Sequence, residues 1–332
     1  MKHQVPGALR TMVKFAAAAA VVAALTGQAA AQQVRIAFGD IASIESLNLL
    51  IAVERAKERG VDASMTFFKS EDLAAQAVVG GQAEIGVGAP YALLQKVKAP
   101  IRMFYQLSNL RFYPVVNTEF YKDWKDLDGQ EFAVHSRGSG TEAIMNLMAQ
   151  RHGIKFSNLN YIPGAEVRAG ALLQGNVKAT IVDSSALNLV KEKGGDKFKV
   201  LDMGDIDGTD EALYANTDFL TKNEKEVTIL LEELLKTQRE ITKDPKVVAD
   251  LRAKYKLLPD LPKDLEGEVV PYFEDAAEAE LYPLDGGNPD NVKADFEFFT
   301  VSGQLQGKAE DLKVDDFWSF AALEKARAGA GN

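Results

Sequence analysis

No cysteine occurs anywhere in the 332 residues, which excludes disulfides, thiolate metal sites and cysteine nucleophiles. The absence also suits an oxidising compartment. Histidine is nearly as scarce: of three, only His135 and His152 lie beyond the N-terminal segment. Neither belongs to a metal pattern such as HExxH, and no serine has a convincing histidine partner. "RGSGT" at Arg137 to Thr141 is not the GxSxG nucleophile elbow, and it lacks the Gly-Lys-Ser/Thr ending of a P-loop. There is no short-period repeat and no low-complexity linker. These gaps leave little room for an enzyme or a metalloprotein. No catalytic residue, metal or cofactor is expected.

Long apolar runs are missing too. The apolar stretch Phe15 to Leu25 is well short of the ~20 residues that a membrane span needs. A basic start (Lys2, Arg10, Lys14) precedes it, and small residues at Ala29 to Ala31 follow. That three-part pattern predicts a secretory signal peptide over residues 1–31 rather than an uncleaved anchor. The whole chain has 38 basic and 48 acidic residues, net −10. Without the first 31 residues the basic count falls to 35 and the net charge to −13. So acidic a protein is a poor partner for nucleic acid. An anionic ligand would need local geometry to overcome the global field.

The remaining length suits two lobes of ~100–200 residues each. "VRIAF" from Val34, "ASMTFFK" around Phe67, "AEIGVG" from Ala83 and "IRMFYQL" from Ile101 read as strands. Helical spacing of Ile44, Leu47, Leu50 and Ile51, and a run from Ser70 to Val79, place helices between them. A second block repeats the alternation from "FYPVVN", Phe112 to Asn117, through "EFAV", "SNLNYI", "VKATIVD" and "FKVLDM". Strands alternating with helices predict βαβ units and a mostly parallel sheet in each block. The rest is helical. Thr221 and Glu224 have capping-box spacing, and the helix they predict carries Val227, Leu230, Leu231, Leu234, Leu235 and Ile241 on one stripe. Asp244-Pro245 and Asn288-Pro289 each mark a helix start.

The stretch "HSRGSGTEA", His135 to Ala143, stands out between a strand and a helix. Ser139 and Glu142 have capping-box spacing, so a helix should begin at about Gly140. Its first turn leaves N–H groups unpaired at the positive end of the macrodipole. Gly138 and Gly140 allow close approach to the backbone; Ser136, Ser139 and Thr141 add hydroxyls and Arg137 a charge. An anion can be held this way. Open α/β sheets bind ligands at strand carboxyl ends, which selects three further loops: Asp40 to Ser43, with Ile41 and Ala42; Ala89, Pro90 and Tyr91; and Asp183 and Ser184. Tyr91 could stack on a ligand or donate from its hydroxyl. Asp183 is either a ligand acceptor or a helix cap. For Arg168 an exposed surface position is expected rather than ligand contact.

Three stretches carry a resemblance to a known family. They are "VRIAFGD", "SEDLAAQAVVGGQAEIGVGAPYALL", and "DLDGQEFAVHSRGSGTEAIMNLMAQRHGI" followed by "IPGAEVRAGALLQGNVKATIVDSSA". The chain resembles the periplasmic substrate-binding proteins of ATP-driven (ABC) importers, of the SsuA/THI5-like (NMT1) nitrate/sulfonate/taurine group. The resemblance implies a two-lobed type II periplasmic binding fold with a helical C-terminal tail. It places residues 32–114 and 215–332 in the first lobe and tail, and 115–214 in the second. Crossovers would fall near Tyr113 to Asn117 and Leu213 to Asn216. It further implies a monomer with a ligand between the lobes, delivered to permease subunits in the inner membrane. The same four loops are the implied ligand loops. Many relatives have an aromatic residue shortly after the aspartate of "VDSSA", where this chain has serines and Ala186, so a wider or differently lined pocket is implied. The ligand expected is a small organic anion, a sulfonate or carboxylate, an aromatic acid included, with a thiamine-type pyrimidine or another neutral or cationic heterocycle as the alternative. Pyrimidine-synthesising enzymes share the fold, but they resemble a cysteine-bearing pattern that this chain lacks.

Overall fold

The computed structural model describes Met1 and residues 33–331, so the expected signal peptide lies outside the described residues apart from Met1. The first lobe opens with β1 (Val34–Phe38), α1 (Leu47–Glu58), β2 (Ala63–Phe67), α2 (Glu71–Val79), β3 (Ile85–Gly88), α3 (Tyr91–Val97) and β4 (Ile101–Asn109). The second comprises β5 (Tyr113–Asn117), β6 (Glu131–Val134), α4 (Gly140–His152), β7 (Asn158–Tyr161), α5 (Ala165–Leu173), β8 (Ala179–Val182), α6 (Ser184–Gly194) and β9 (Phe198–Val200). The chain then returns as β10 (Thr209–Asn216), followed by α7 (Thr217–Lys222), α8 (Glu224–Lys243), α9 (Val247–Tyr255), α10 (Val269–Glu278), α11 (Pro289–Val301), α12 (Val314–Phe317) and α13 (Ala321–Ala330).

The two five-stranded sheets share one plan. Their orders are β2-β1-β3-β10-β4 and β7-β6-β8-β5-β9. In each, three strands run parallel, and the fourth in spatial order is antiparallel to both its neighbours. That odd strand is the one reached directly from the other sheet: β5 follows β4, and β10 follows β9. Strand membership puts the crossings at residues 110–112 and 201–208, earlier than Tyr113 to Asn117 and Leu213 to Asn216. Residues 209–214, expected in the second lobe, therefore pair in the first sheet. The two crossings touch, with Leu110 N–H donating to Gly208 O at 2.8 Å.

Helices cover both faces of each sheet, which is why β3 and β8 are buried at every position. The stripe expected on α8 is fully buried and packs on α1 and α13. Each such side chain contributes about 1.5–3 kcal/mol by leaving water. The capping box expected at its start does not form. Thr221 lies in the last turn of α7, where its hydroxyl donates to Thr217 O, and Asn223 precedes α8. Asn288 caps α11 as expected, accepting from the N–H groups of Asp290 and Asn291.

A buried polar tie fixes the tail to the first lobe. Asp295 of α11 accepts from Thr209 N–H at 2.6 Å, from Thr209 Oγ1 at 2.7 Å, and from the Tyr91 hydroxyl. Trp318 Nε1 donates to that same hydroxyl at 2.8 Å. Burial pushes the Asp295 carboxyl up to about 6. Among the described residues no helix is long and apolar enough to cross a membrane.

Candidate functional site

The loops after β1, β3, β6 and β8 open toward the gap between the lobes, because parallel strands deliver their carboxyl ends to the same edge. Three hydrogen bonds span that gap. His135 Nε2 donates to Gly39 O at 2.9 Å, Gly164 N–H donates to Asp40 Oδ1 at 2.9 Å, and Glu71 N–H donates to Ser136 Oγ at 3.5 Å. His135 Nδ1 stands 3.4 Å from Asp40 Oδ2. Ile41 packs against Gly164: a Cβ added there would come within 2.4 Å of Ile41 Cδ1. Gly164 also has φ of 79°, so a side chain is excluded there twice over. An apolar cluster continues the contact, joining Ile44, Leu47 and Ile51 of the first lobe to Ala165, Ala169 and Ala186 of the second. The lobes are thus closed on each other, leaving a cleft cavity of about 30 Å³.

The predicted helix start is where the sequence places it. Ser139 is the N-cap of α4, and its Oγ accepts from Glu142 N–H. The box is only half formed, because the Glu142 carboxylate turns instead to Gly138 N–H at 2.7 Å. The Ser139 and Thr141 hydroxyls are occupied within the loop. Ser139 Oγ donates to Ser136 O at 2.8 Å and lies 3.0 Å from Thr141 Oγ1, which accepts from His135 N–H. Ser139, Gly140 and Thr141 line the cleft. Arg137 does not; it is exposed, with its guanidinium 5.6 Å from the Tyr161 ring centroid.

The other loops divide. Asp40 lines the cleft, whereas Ala42 is exposed, and Ser43 uses its carbonyl to accept from Ser46 Oγ. Asp183 is the N-cap of α6, accepting from Ala186 N–H at 2.8 Å, so its cap role is realised. It also borders, with Ser184, a small cavity of about 20 Å³ beside the cleft. Ala89 and Pro90 line a separate apolar cavity. Tyr91 is the clear correction. It is the first residue of α3, and its ring points into the core against Phe296, Phe299 and Phe317, with no exposed surface. It is a structural anchor and faces no cleft.

Arg168 is the second correction. Rather than lying on the surface it is 1% exposed, lines the cleft, and donates to Ile181 O and Ile162 O. Residues 165–168 form the first turn of α5, which follows a parallel strand, and that placement brings them to the cleft edge.

Charge is the dominant feature. Asp40, Glu45, Glu71, Asp210 and Glu211, all from the first lobe, line the cleft; Arg168 and His135 of the second face them. Burial, reinforced by the neighbouring acids, pushes Glu45, Glu71 and Glu211 well above the usual carboxylate range. Burial and Asp40 raise Asp210 to about 8. Glu166, beside Asp183 and Asp40, is pushed up to about 7, chiefly by burial. Burial lowers His135, favouring its neutral form, and lowers Arg168 against the pull of Asp40 and Asp183. Asp210 also stands at the start of α4: a Cβ on Gly140 would come within 2.8 Å of its Oδ1. The helix N-terminus predicted to hold an anion already faces a carboxyl of the protein itself. Among the described residues no group of three or more His, Asp or Glu side chains is placed to hold a metal ion.

Of the five first-lobe carboxyls only Asp40 stands out in the sequence. Asp210 and Glu211 escape a search of strand carboxyl ends because β10 runs antiparallel, so its amino end lies beside the end of β3, with Ala212 opposite Gly88. Glu71 opens α2, and Glu45 lies in the short turn before α1. Carboxylates in helix first turns offer the one sequence signal for that pair.

The family described as NMT1/THI5 like matches residues 46–247 of the chain. No curated protein sequence matches it. Among solved structures, the chain is similar to a protein from Bordetella bronchiseptica RB50, with a TM-score of 0.72 at 20% identity over 90% of this chain and 98% of that one. It is similar to the periplasmic nitrate-binding protein NrtA from Synechocystis PCC 6803, with a TM-score of 0.65 at 13% identity over 90% and 88%. The periplasmic aliphatic sulphonate binding protein SsuA from Escherichia coli gives a TM-score of 0.59 at 17% identity over 87% and 92%. At such identities these likenesses establish the two-lobed periplasmic binding fold and leave the ligand to the site itself.

Proposed function

The chain belongs to the NMT1/THI5 like family, and we propose that it is the solute-binding component of an ATP-driven importer that captures a small organic molecule bearing a cationic nitrogen. The ligand sits between the lobes and is handed to permease subunits in the membrane. The observation that carries this reading is the wall of five carboxyls facing one arginine. A cationic nitrogen placed there would let carboxyls that burial and mutual repulsion hold protonated ionise and pair with it. An anion would have to displace Asp210 from the start of α4 and would meet the remaining acids. Between the expected anion and its cationic alternative, the carboxyl wall favours the alternative, which includes protonated aminopyrimidines.

Capture follows from closure. The acids stand on the first lobe, while Arg168, His135 and the α4 terminus stand on the second. A ligand touching both sides favours the closed form, because only that form makes both sets of contacts. The tripartite N-terminal segment and the periplasmic relatives support action in the periplasm. Binding without turnover is the role proposed; conversion of a bound solute to product would replace it with an enzymatic one.

Thermal-shift measurements on the full chain test the reading. The panel contains amines, amidines and aminopyrimidines against alkanesulfonates and carboxylates at matched ionic strength. Stabilisation by nitrogen cations and none by the acids is expected. Stabilisation by the acids alone returns the ligand to the anionic class. Native mass spectrometry of freshly purified protein should show a co-purified solute whose mass fits a nitrogenous cation.

A further inference from the structure

Beside the acidic cleft lies a cavity of about 270 Å³ that charge recognition leaves unexplained. Its walls come from α2 (Ala75, Val79) and α3 (Ala92, Leu93, Val97), and Arg137 and Gly138 of the second lobe form one side. Tyr214 of β10 also lines it. The Tyr214 side chain is 1% exposed, and its hydroxyl is buried without a hydrogen-bond partner. A buried phenol normally has one, because leaving it unpaired costs about 1–3 kcal/mol. Tyr214 reaches this position only because Gly86 lies opposite it: a Cβ there would come within 2.1 Å of the ring's Cζ. Glu71 borders both this cavity and the acidic cleft.

Size and lining specify the guest. An aliphatic-lined cavity of about 150 Å³ takes a benzene-sized molecule and stays dry when empty. The present one, about 270 Å³ and open to solvent past the half-exposed Val79 and Val97, has room for a single ring or a short chain. The orphaned hydroxyl at its wall asks for one oxygen or nitrogen on that guest.

We propose that the α2–α3 cavity is a second compartment of the binding site, receiving an apolar ring or short chain whose one polar atom pairs with Tyr214. It rests on the capture reading for the position of the rest of the ligand. Its own affinity for apolar groups is independent of the charge assigned to the cleft, and the test separates the two.

The full chain is titrated with the n-alkanols from ethanol to hexanol and with the matching n-alkylamines, read by thermal shift and ligand-observed NMR. Affinity for the alkanols should rise about fourfold per methylene until the cavity is filled. Ala92→Trp fills the space and should abolish the chain-length gradient in both series; Leu93→Trp serves the same purpose should the first variant fold poorly. Tyr214→Phe should weaken hexanol about fivefold and leave toluene unchanged. Hexanol binding no tighter than ethanol, or a gradient that survives both filling variants, overturns the compartment. A gradient in both series with amines no tighter than alkanols keeps the compartment and removes the cationic ligand. Amines that bind tightly with no gradient do the reverse.

Discussion

A rise in pH from 6.5 to 8.5 should weaken the ligand-free protein, and Asp210 is the group that makes this quantitative. Its carboxyl is held up to about 8 in the fold, whereas in the unfolded chain it has an ordinary value near 4. Folding therefore binds a proton at neutral pH. The stability associated with it is complete at acid pH and is lost as pH climbs through the folded value. At 1.36 kcal/mol per unit, Asp210 alone accounts for about 2 kcal/mol between pH 6.5 and 8.5. Glu166, held up to about 7, adds somewhat under about 1 kcal/mol. His135 opposes the trend weakly: burial keeps it neutral in the fold, while the unfolded imidazole titrates near 6.5, so it adds about 0.4 kcal/mol of stability across the window. Urea unfolding at half-unit pH steps, without ligand, gives the slope. Asp210→Asn mimics the protonated form, so the variant should lose about 2 kcal/mol of the pH dependence and should exceed the wild type in stability at pH 8.5. Equal slopes in the two proteins would refute the claim that Asp210 is buried among like charges.

Three further outcomes test separate parts of the site. Asp40→Asn weakens the tie from Gly164 N–H and the approach to His135, so ligand affinity should fall roughly tenfold; small-angle scattering should show a more open average shape, and an unchanged profile with full affinity would remove Asp40 from closure. Tyr91→Phe should cost about 1–3 kcal/mol in thermal unfolding, because Asp295 and Trp318 lose a shared buried partner; ligand affinity should not move, and a drop without loss of stability would restore the ring to the cleft. Ser139→Ala should cost about 1 kcal/mol through loss of the α4 cap and weaken binding only secondarily, so a large affinity loss at unchanged stability would revive the hydroxyl as a direct ligand donor.

Much of the architecture is legible in the residues because period and punctuation agree there. Apolar runs such as Ile85–Gly88 and Ala179–Val182 mark strands covered on both faces, and Ser139 marks the start of α4. The α8 stripe is equally plain, although its start was misplaced, since Thr221 closes a short helix rather than opening the long one. The site was legible only as loops. That Tyr91 turns inward depends on a partner, Asp295, some two hundred residues away, and no local signal reports it. The carboxyl wall is hidden for a topological reason: Asp210 and Glu211 enter at the amino end of an antiparallel strand, where a rule about carboxyl ends does not look. Arg168 reads as an ordinary helix-surface cation until the crossing of two lobes buries it.

The exchanged strands carry a consequence for biogenesis. Residues 113–200 hold all five strands of the inner sheet, so that half is complete as soon as the polypeptide has emerged through β9. The outer sheet at that moment still has a vacant slot between β3 and β4, which only β10 can fill. Its two bare strand edges are the kind that invite mispairing. The late-made segment is thus the keystone of the early-made half.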